Sequence, residues 1–164
     1  MRRPVRRARP DVPLPRGERL LAWAATADGG VVGGSRDALY VSGGTRIPWE
    51  SVEAADWDSE TSVLLVSEVG SWGQVRPEHR LTIEEPGRLL ELVRERVTAS
   101  VVMQRHVALT GRQGVRVIAR RAPGRPSEVS WIYEYDEGID PDDAFVRLAA
   151  AQALAAARDE LGLA

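Results

Sequence analysis

Few side chains in this sequence could perform acid–base or nucleophilic chemistry. The two histidines are His79, at the start of a predicted strand, and His106, within another predicted strand. Either one would need a nucleophile or an orienting carboxylate beside it in a cleft to act as a catalyst. The chain contains no cysteine and no Gly-x-Ser-x-Gly motif, which excludes thiol nucleophiles, zinc–thiolate sites and the serine elbow of hydrolases. We expect both histidines to be surface residues and the protein not to be an enzyme.

Two segments are rich in residues that can bind phosphates or metals, but neither has the required spacing. Residues 29–34 hold four glycines in a region of predicted strands. A phosphate-binding loop instead opens a helix and usually needs a lysine. No lysine is available here, because all 22 basic residues are arginine. The acidic cluster before the last helix does not match a calcium loop, and we interpret it as helix capping, with Asp140 as N-cap and Pro141 as first helical residue. This cluster comprises Asp136, Glu137, Asp140, Asp142 and Asp143. We therefore predict no cofactor and no metal site.

Charge is strongly segregated along the chain. Residues 1–19 have a net charge of +5, residues 96–127 have +7 without a single acid, and residues 128–143 have −7 without a single base. A basic hairpin together with a basic arm is typical of proteins that bind a phosphate backbone. The candidate nucleic-acid contacts are Arg105, Arg112, Arg116, Arg120, Arg121 and Arg125. The alternative is that Arg116 and Arg120 pair across strands with Glu128 and Glu134, so that the two charge blocks cancel within the fold.

The hydrophobic pattern predicts an α+β protein. Pro48 points to an edge strand or a bend, because proline cannot donate to a strand ladder, and the first strand reads as buried on both faces. Pro86 suits the first turn of a helix with an apolar stripe that extends to Val101. A second helix is predicted over 140–161, before Gly162. The predicted strands cover residues 20–25, 31–32, 38–41, 47–49, 52–57, 62–66, 80–84, 101–109, 115–120 and 129–135.

The last helix is alanine-rich on all sides. Phe145 and Leu148 fall on one side of it, and Val146, Leu154 and Leu161 fall in the opposing half. A helix that is apolar all round is usually covered on more than one face, so Val146, Leu154 and Leu161 are candidates for an interface with a partner. The alternative is that the alanines simply stabilise the helix through their high helix propensity.

Several motifs resemble those of bacterial pleckstrin-homology-like (PH-like) domains. Residues 31–41 look like the second hairpin of that superfamily. Residues 46–52 look like a strand of the same superfamily in which a basic residue precedes isoleucine, proline and an aromatic residue. Residues 94–102 and 135–141 are similar to segments of an uncharacterised actinobacterial family, and the absence of lysine fits a GC-rich genome. The resemblance implies an antiparallel β-barrel with a capping helix over residues 17–102. It implies no lipid-headgroup site, because residues 26–32 contain an aspartate and no base.

The sequence thus predicts a flexible basic arm over residues 1–16 and a PH-like domain over 17–102. It also predicts a three-stranded antiparallel unit with a C-terminal helix over 103–164 that packs on the PH-like domain. The basic N-terminus is followed by prolines rather than an apolar run, and no segment is apolar enough to span a bilayer, so we expect a cytoplasmic protein. The function expected is that of a non-enzymatic interaction or scaffold module that binds a protein partner or a second copy. The alternative is a nucleic-acid-associated protein that uses the arm and the arginine-rich hairpin.

Overall fold

The computed structural model describes residues 10–42, 44–70, 74–124 and 127–163. Part of the predicted arm, residues 1–9, lies outside the described residues. The chain divides into two compact units, of which the first ends at Val97 and the second begins at Thr98. Among the described residues there are three antiparallel sheets and two α-helices, which confirms the α+β prediction.

The first unit begins with a four-stranded antiparallel sheet in the order β1-β2-β3-β4. Pro48 is the last residue of β4, which lies at the edge of this sheet, so the edge position predicted from the proline is confirmed. A single 3₁₀ turn, Trp49–Ser51, then turns the chain into the next sheet. The strands are β1 (Ala22–Ala25), β2 (Val31–Gly34), β3 (Ala38–Val41) and β4 (Thr45–Pro48).

A three-stranded antiparallel sheet and a helix complete the first unit. The sheet has the order β5-β6-β7, and the backbone N–H of Ala27, just after β1, donates to the carbonyl of Thr82 at the end of β7 over 3.0 Å. Among the described residues the seven strands form two separate sheets, so the closed barrel expected from the resemblance is not present. The elements are β5 (Val52–Asp58), β6 (Val63–Glu68), β7 (Glu78–Thr82) and α1 (Leu89–Ser100).

Both sheets and α1 contribute to one hydrophobic core in the first unit. Trp49 is its largest fully buried side chain, and its indole N–H donates to the carbonyl of Ser35 over 3.0 Å. Leu39 and Ile47 reach this core from the first sheet, Leu64 from the second, and Leu89 from α1. Burial of these side chains is the main source of stability for the unit.

Two predicted features of the first unit are wrong. The strand β1 is not buried on both faces, because Ala24 is buried while Ala25 is exposed. The helix α1 begins at Leu89 rather than at Pro86, because Gly87 adopts a positive φ of 54° that no helix accommodates, and the N–H of Leu89 instead closes a turn onto the carbonyl of Pro86.

The second unit is a three-stranded antiparallel sheet with a helix packed on one face, as predicted. The strand order is β10-β9-β8, and the helix lies against β8 and β9. Its core contains Val117 from the central strand and Ala153 and Ala157 from the helix. The elements are β8 (Val101–Thr110), β9 (Gln113–Arg120), β10 (Ser130–Tyr135) and α2 (Ala144–Glu160).

The start of α2 differs from the predicted one. Asp143 is the N-cap, and its carboxylate accepts hydrogen bonds from the N–H groups of Phe145 and Val146 at 2.9 and 3.2 Å. Asp140, the predicted cap, instead accepts from the N–H of Asp142 at 2.9 Å within the preceding turn. The N-cap and the first helical residue therefore lie three residues later than predicted. Within the described part of the chain, none of the helices has the length and apolar character needed to cross a bilayer.

Candidate functional site

Alternation along β10 gives the two faces of the second unit's sheet different chemistry. Trp131, Tyr133 and Tyr135 point to the face that carries α2, which we call the helix face. The acids of the same segment point to the opposite face, which we call the outer face, where Glu134 lies in register with Arg116. The dense acidic block of the sequence is thus separated in space from the aromatic side chains that alternate with it.

The helix α2 covers its own sheet with a narrow stripe of small residues. Val146, Ala150, Ala153 and Ala157 recur at helical spacing and are all buried. Among the candidate interface residues, Val146 belongs to this stripe, Leu154 packs against the unit's own core, and Leu161 is half-buried at the C-cap. A partner that contacted Val146 and Leu154 would therefore have to displace the sheet of the same unit.

The opposite side of α2 is apolar and open. Phe145 is 64% exposed and Leu148 is 59% exposed. These two residues lie three positions apart, about 60° around the helix, so they form one patch. We call this patch the exposed α2 face. The sequence pattern places both residues on one side of the helix, but the predicted interface candidates, Val146, Leu154 and Leu161, are in the other half.

A second open surface lies where β10 extends beyond the cover of α2. Because α2 packs on β8 and β9, the helix-face aromatics of β10 are only partly covered, and Tyr133 remains 37% exposed. Its ring centroid lies 6.1 Å from that of Tyr135, with the ring planes inclined at 48°. Alternation along the strand predicts that these aromatics share one face, but the extent to which a helix covers that face cannot be read from alternation alone.

Two arginines of α2 border this aromatic row. The guanidinium carbon of Arg158 lies 5.9 Å from the ring centroid of Trp131, within range of a cation–π interaction. Burial raises the pKa of Tyr133 and Tyr135; the charge of Arg158 opposes the rise at Tyr133, and that of Arg147 opposes it at Tyr135. We call the surface formed by these five residues the β10–α2 surface.

The arginines that are candidates for nucleic-acid contacts do not form one patch. Arg105 lies on the helix face and pairs with Glu160 of α2. Arg116 lies on the outer face, with its Nη1 atom 3.6 Å from Oε1 of Glu134. The cross-strand pairing of Arg116 with Glu134 is thus confirmed, and these two cations are partly neutralised within the unit.

The remaining candidates differ in exposure. Arg120 is only 4% exposed and donates from Nη1 to the hydroxyl of Ser100 over 3.1 Å. Arg112, in the β8–β9 turn, and Arg121, after β9, are exposed. Arg125 lies outside the described residues. The six predicted contacts thus include one interior residue and two ion-paired residues on opposite faces of the sheet.

The Arg116–Glu134 pair has a measurable consequence for stability. Changing Arg116→Glu places a second carboxylate beside Glu134 and is expected to lower the free energy of unfolding by about 0.2–1 kcal/mol, since both side chains are half-exposed and screened by water. Adding Glu134→Arg should restore most of the loss. Urea unfolding of the four proteins in this double-mutant cycle measures the coupling. Strictly additive effects of the two changes would show that the pair contributes nothing.

Both histidines face carboxylates. Nε2 of His79 lies 2.8 Å from Oε2 of Glu68 across the β6–β7 ladder, and Nε2 of His106 lies 2.8 Å from Oδ2 of Asp136 on the outer face. The same Asp136 oxygen accepts a hydrogen bond from the N–H of Gly114 at 2.8 Å. The contacts of Asp136 with His106 and Gly114 therefore link β8 and the start of β9 to the end of β10. His106 thus has a structural role on a half-exposed surface.

The Asp136 carboxylate should make part of the stability depend on acid pH. Its pKa is lowered, first by the hydrogen bond with His106 and then by that with Gly114. A lowered folded-state pKa contributes stability that is complete above the unfolded value of about 4 and is lost as the pH falls through the folded value. The stability difference between wild type and Asp136→Asn, measured by urea unfolding, should therefore shrink below about pH 4. A difference that stayed constant down to pH 2 would contradict this assignment.

A polar network in the first unit anchors the residues that follow the predicted arm. The carboxylate of Glu18 is only 9% exposed and accepts hydrogen bonds from Ser35 at 2.9 Å, from Arg46 at 2.7 Å and from the hydroxyl of Tyr40. Burial raises the pKa of Glu18, but these three hydrogen bonds together lower it below its ordinary value. The network thus fixes Glu18, the second residue after the predicted arm.

The glycine-rich segment between β1 and β3 has a packing role. A Cβ atom on Gly34 would lie 2.7 Å from Leu92 and 3.0 Å from Trp49, which explains why this position has no side chain.

A cleft of about 190 Å³ lies beside the β1–β2 turn, and an anionic group in it would meet two glutamates. The lining residues are Ala25, Thr26, Ala27, Glu84 and Glu85.

The described residues contain no cluster of three or more His, Asp or Glu side chains that could hold a metal ion. Comparison of the chain with protein-family models, with curated proteins and with solved structures finds no match. The two open surfaces of the second unit are therefore its candidate functional sites.

Proposed function

We propose that this chain is a non-enzymatic protein-interaction module whose partner protein docks on the second unit. The observation that supports the proposal best is the exposed α2 face. Phe145 and Leu148 present a large apolar surface to solvent on a helix whose opposite stripe already covers its own sheet. A contiguous apolar patch of this kind is a feature of many protein-interaction sites.

The energetics of such a contact are favourable. Full burial of one large apolar side chain contributes about 1.5–3 kcal/mol, and Phe145 and Leu148 are already partly covered, so each would add about 1–2 kcal/mol in an interface. The neighbouring β10–α2 surface consists of tryptophan, tyrosine and arginine, the residue types that contribute most to protein–protein affinity.

The nucleic-acid alternative has weaker support. A phosphate-binding surface needs several unpaired cations on one face. Here Arg105 and Arg116 pair with acids on opposite faces, and Arg120 is buried. Only the exposed Arg112 and Arg121 remain from the five described candidates as open cations.

We also propose that the first unit is a PH-like domain and that the chain belongs to the actinobacterial family that it resembles. The order of elements supports the first part: a four-stranded antiparallel sheet, a three-stranded antiparallel sheet and a helix that shares their core. The cytoplasmic location stays a prediction.

The proposed function is tested by removing the exposed α2 face. The double variant Phe145→Ser, Leu148→Ser should keep the wild-type melting temperature, because both residues are exposed, and should lose the partner in cross-linking with mass spectrometry in the producing organism. A matched control is Leu21→Ser, Val75→Ser, which removes two exposed apolar side chains from the first unit and should retain the partner. Equal recovery of partner proteins with both double variants would refute the proposal.

A further inference from the structure

The two arginines of the β10–α2 surface lie at opposite ends of its aromatic row. Arg158 lies at the Trp131 end of the aromatic row. Arg147 is eleven positions earlier on α2 and therefore lies on the same side of the helix, and its charge acts on Tyr135 at the other end of the row. The helix therefore runs alongside β10 in the opposite direction, and the two arginines flank the row at its two ends. Trp131 and Tyr135 are separated by four residues of strand, about 13 Å.

The charges bordering this surface favour an anionic ligand. Arg147 and Arg158 are exposed, and no ion pair to either is found among the described residues. The acids of β10 and its flanks, Glu134 and Asp136, engage Arg116 and His106 on the outer face. Alternation sends these acids to the other side of the sheet, so the helix face of β10 itself presents aromatics bordered by the two arginines. Asp142, in the turn before α2, is close enough to act on Tyr135, so it reduces the positive charge at that end of the row.

β10 also has an unpaired edge. It lies at the end of the sheet order β10-β9-β8, so among the described residues its backbone pairs with β9 alone. An extended segment that ran along this edge would have main-chain groups to bind and would place alternate side chains on the aromatic row. The edge and the arginines thus favour the same extended ligand.

The spacing of the two arginines limits that ligand further. They are eleven residues apart on α2, which corresponds to about 16 Å along the helix axis. An extended peptide advances about 3.3 Å per residue, so it spans this distance in about five residues. Carboxylates about five positions apart would therefore reach both guanidinium groups, with apolar residues between them on the aromatic row.

We propose that the β10–α2 surface binds an extended acidic segment of the partner protein, with two carboxylates about five residues apart on Arg147 and Arg158 and apolar side chains on Trp131, Tyr133 and Tyr135. This inference rests on the proposed function and names the chemistry of the partner. A single-stranded nucleic acid fits less well. It carries a phosphate on every nucleotide and needs a continuous run of cations, whereas this surface offers two arginines eleven positions apart.

The test begins with selection of 12-residue random peptides displayed on phage against the immobilised full chain. The selected peptides should carry two acidic residues four to six positions apart with an aromatic or aliphatic residue between them. The best peptide, labelled and measured by fluorescence anisotropy, should lose roughly a hundredfold in affinity for Arg147→Glu, Arg158→Glu, about tenfold for each arginine. A peptide with both acids changed to arginine should bind this double variant.

The matched control is Arg112→Glu, Arg121→Glu, which makes the same change of charge at two exposed arginines outside the surface and should leave the affinity within about twofold. Tyr133→Ser removes an aromatic without changing charge and should weaken binding while the circular dichroism spectrum is unchanged. These two variants separate a site-specific effect from a general effect of net charge or of unfolding.

Three outcomes would overturn the inference: no peptide selected, selected peptides without acidic residues, or affinities that do not respond to Arg147→Glu, Arg158→Glu. Competition by a 12-nucleotide oligouridylate at the same residues would assign the surface to nucleic acid instead. The proposed function is judged separately through Phe145 and Leu148, so loss of the partner in that double variant would still support a protein-interaction module if the acidic-segment inference failed.

Discussion

Changing Trp49→Ala is expected to lower the free energy of unfolding by about 3–5 kcal/mol, the range for removing a buried aromatic side chain. Trp49 is fully buried at the junction between β4 and β5, and its ring packs against Gly34, which has no side chain that could fill the space. The change also leaves the carbonyl of Ser35 without its indole donor. Urea unfolding followed by circular dichroism measures the loss.

The graded control for this prediction is Trp49→Phe. Phenylalanine keeps most of the buried apolar surface but cannot donate to the carbonyl of Ser35, so it should cost less than alanine. Similar losses for the two variants would show that the hydrogen bond, and not the filled volume, determines the stability at this position.

Changing Gly114→Ala is expected to destabilise the second unit by about 2–4 kcal/mol. An added Cβ would lie 1.8 Å from the carbonyl oxygen of Val107 on the paired strand, a contact that only a shift of the backbone can relieve. Such a shift would also disturb the hydrogen bonds that Gly114 exchanges with Asp136 at 2.8 and 2.9 Å. Amide hydrogen exchange should show faster exchange in β8 and β9 than in the wild type.

The matched control is Gly111→Ala in the adjacent turn. Gly111 has a positive φ of 60° but open space around its Cβ position, so alanine there carries backbone strain without a collision. We expect a cost of about 1 kcal/mol. If Gly114→Ala proved no more destabilising than Gly111→Ala, the close approach between β8 and β9 would be contradicted.

Strand positions were predictable where local pattern and burial agree. β3 was predicted over its observed range, Ala38–Val41, because four consecutive apolar residues lie between turn signals and all are buried. The edge position of β4 follows from the chemistry of Pro48, which lacks an N–H. The pairing of Arg116 with Glu134 was predictable for a similar reason, since the order of two neighbouring antiparallel strands limits their register.

Helix starts were predicted less well, because competing local geometries decide them. Pro86 is compatible with a first helical turn, but Gly87 has a positive φ, which is not a helical conformation. The helix α1 therefore starts at Leu89. Before α2, both Asp140 and Asp143 can accept backbone hydrogen bonds, and the sequence does not distinguish the turn from the cap. Which residue caps or starts a helix depends on the backbone conformation of the loop that precedes it.

The open surfaces of the second unit could not be predicted, because they depend on where α2 lies across the sheet. Alternation placed the aromatics of β10 on one face but did not show that α2 covers β8 and β9 and leaves Tyr133 partly exposed. The all-round apolar character of α2 likewise did not show which half covers the sheet. The structure places Val146, one of the predicted interface candidates, inward and Phe145 outward.

The most direct test of a protein partner on the second unit is site-specific photo-cross-linking in the producing organism. A benzophenone-bearing amino acid is incorporated at position 145 or 148 of the exposed α2 face, or at position 75 in the first unit as an exposed control. The account predicts that ultraviolet light links one discrete partner protein to positions 145 and 148 and not to position 75. Adducts that are absent at 145 and 148, or equally abundant at 75, would contradict it.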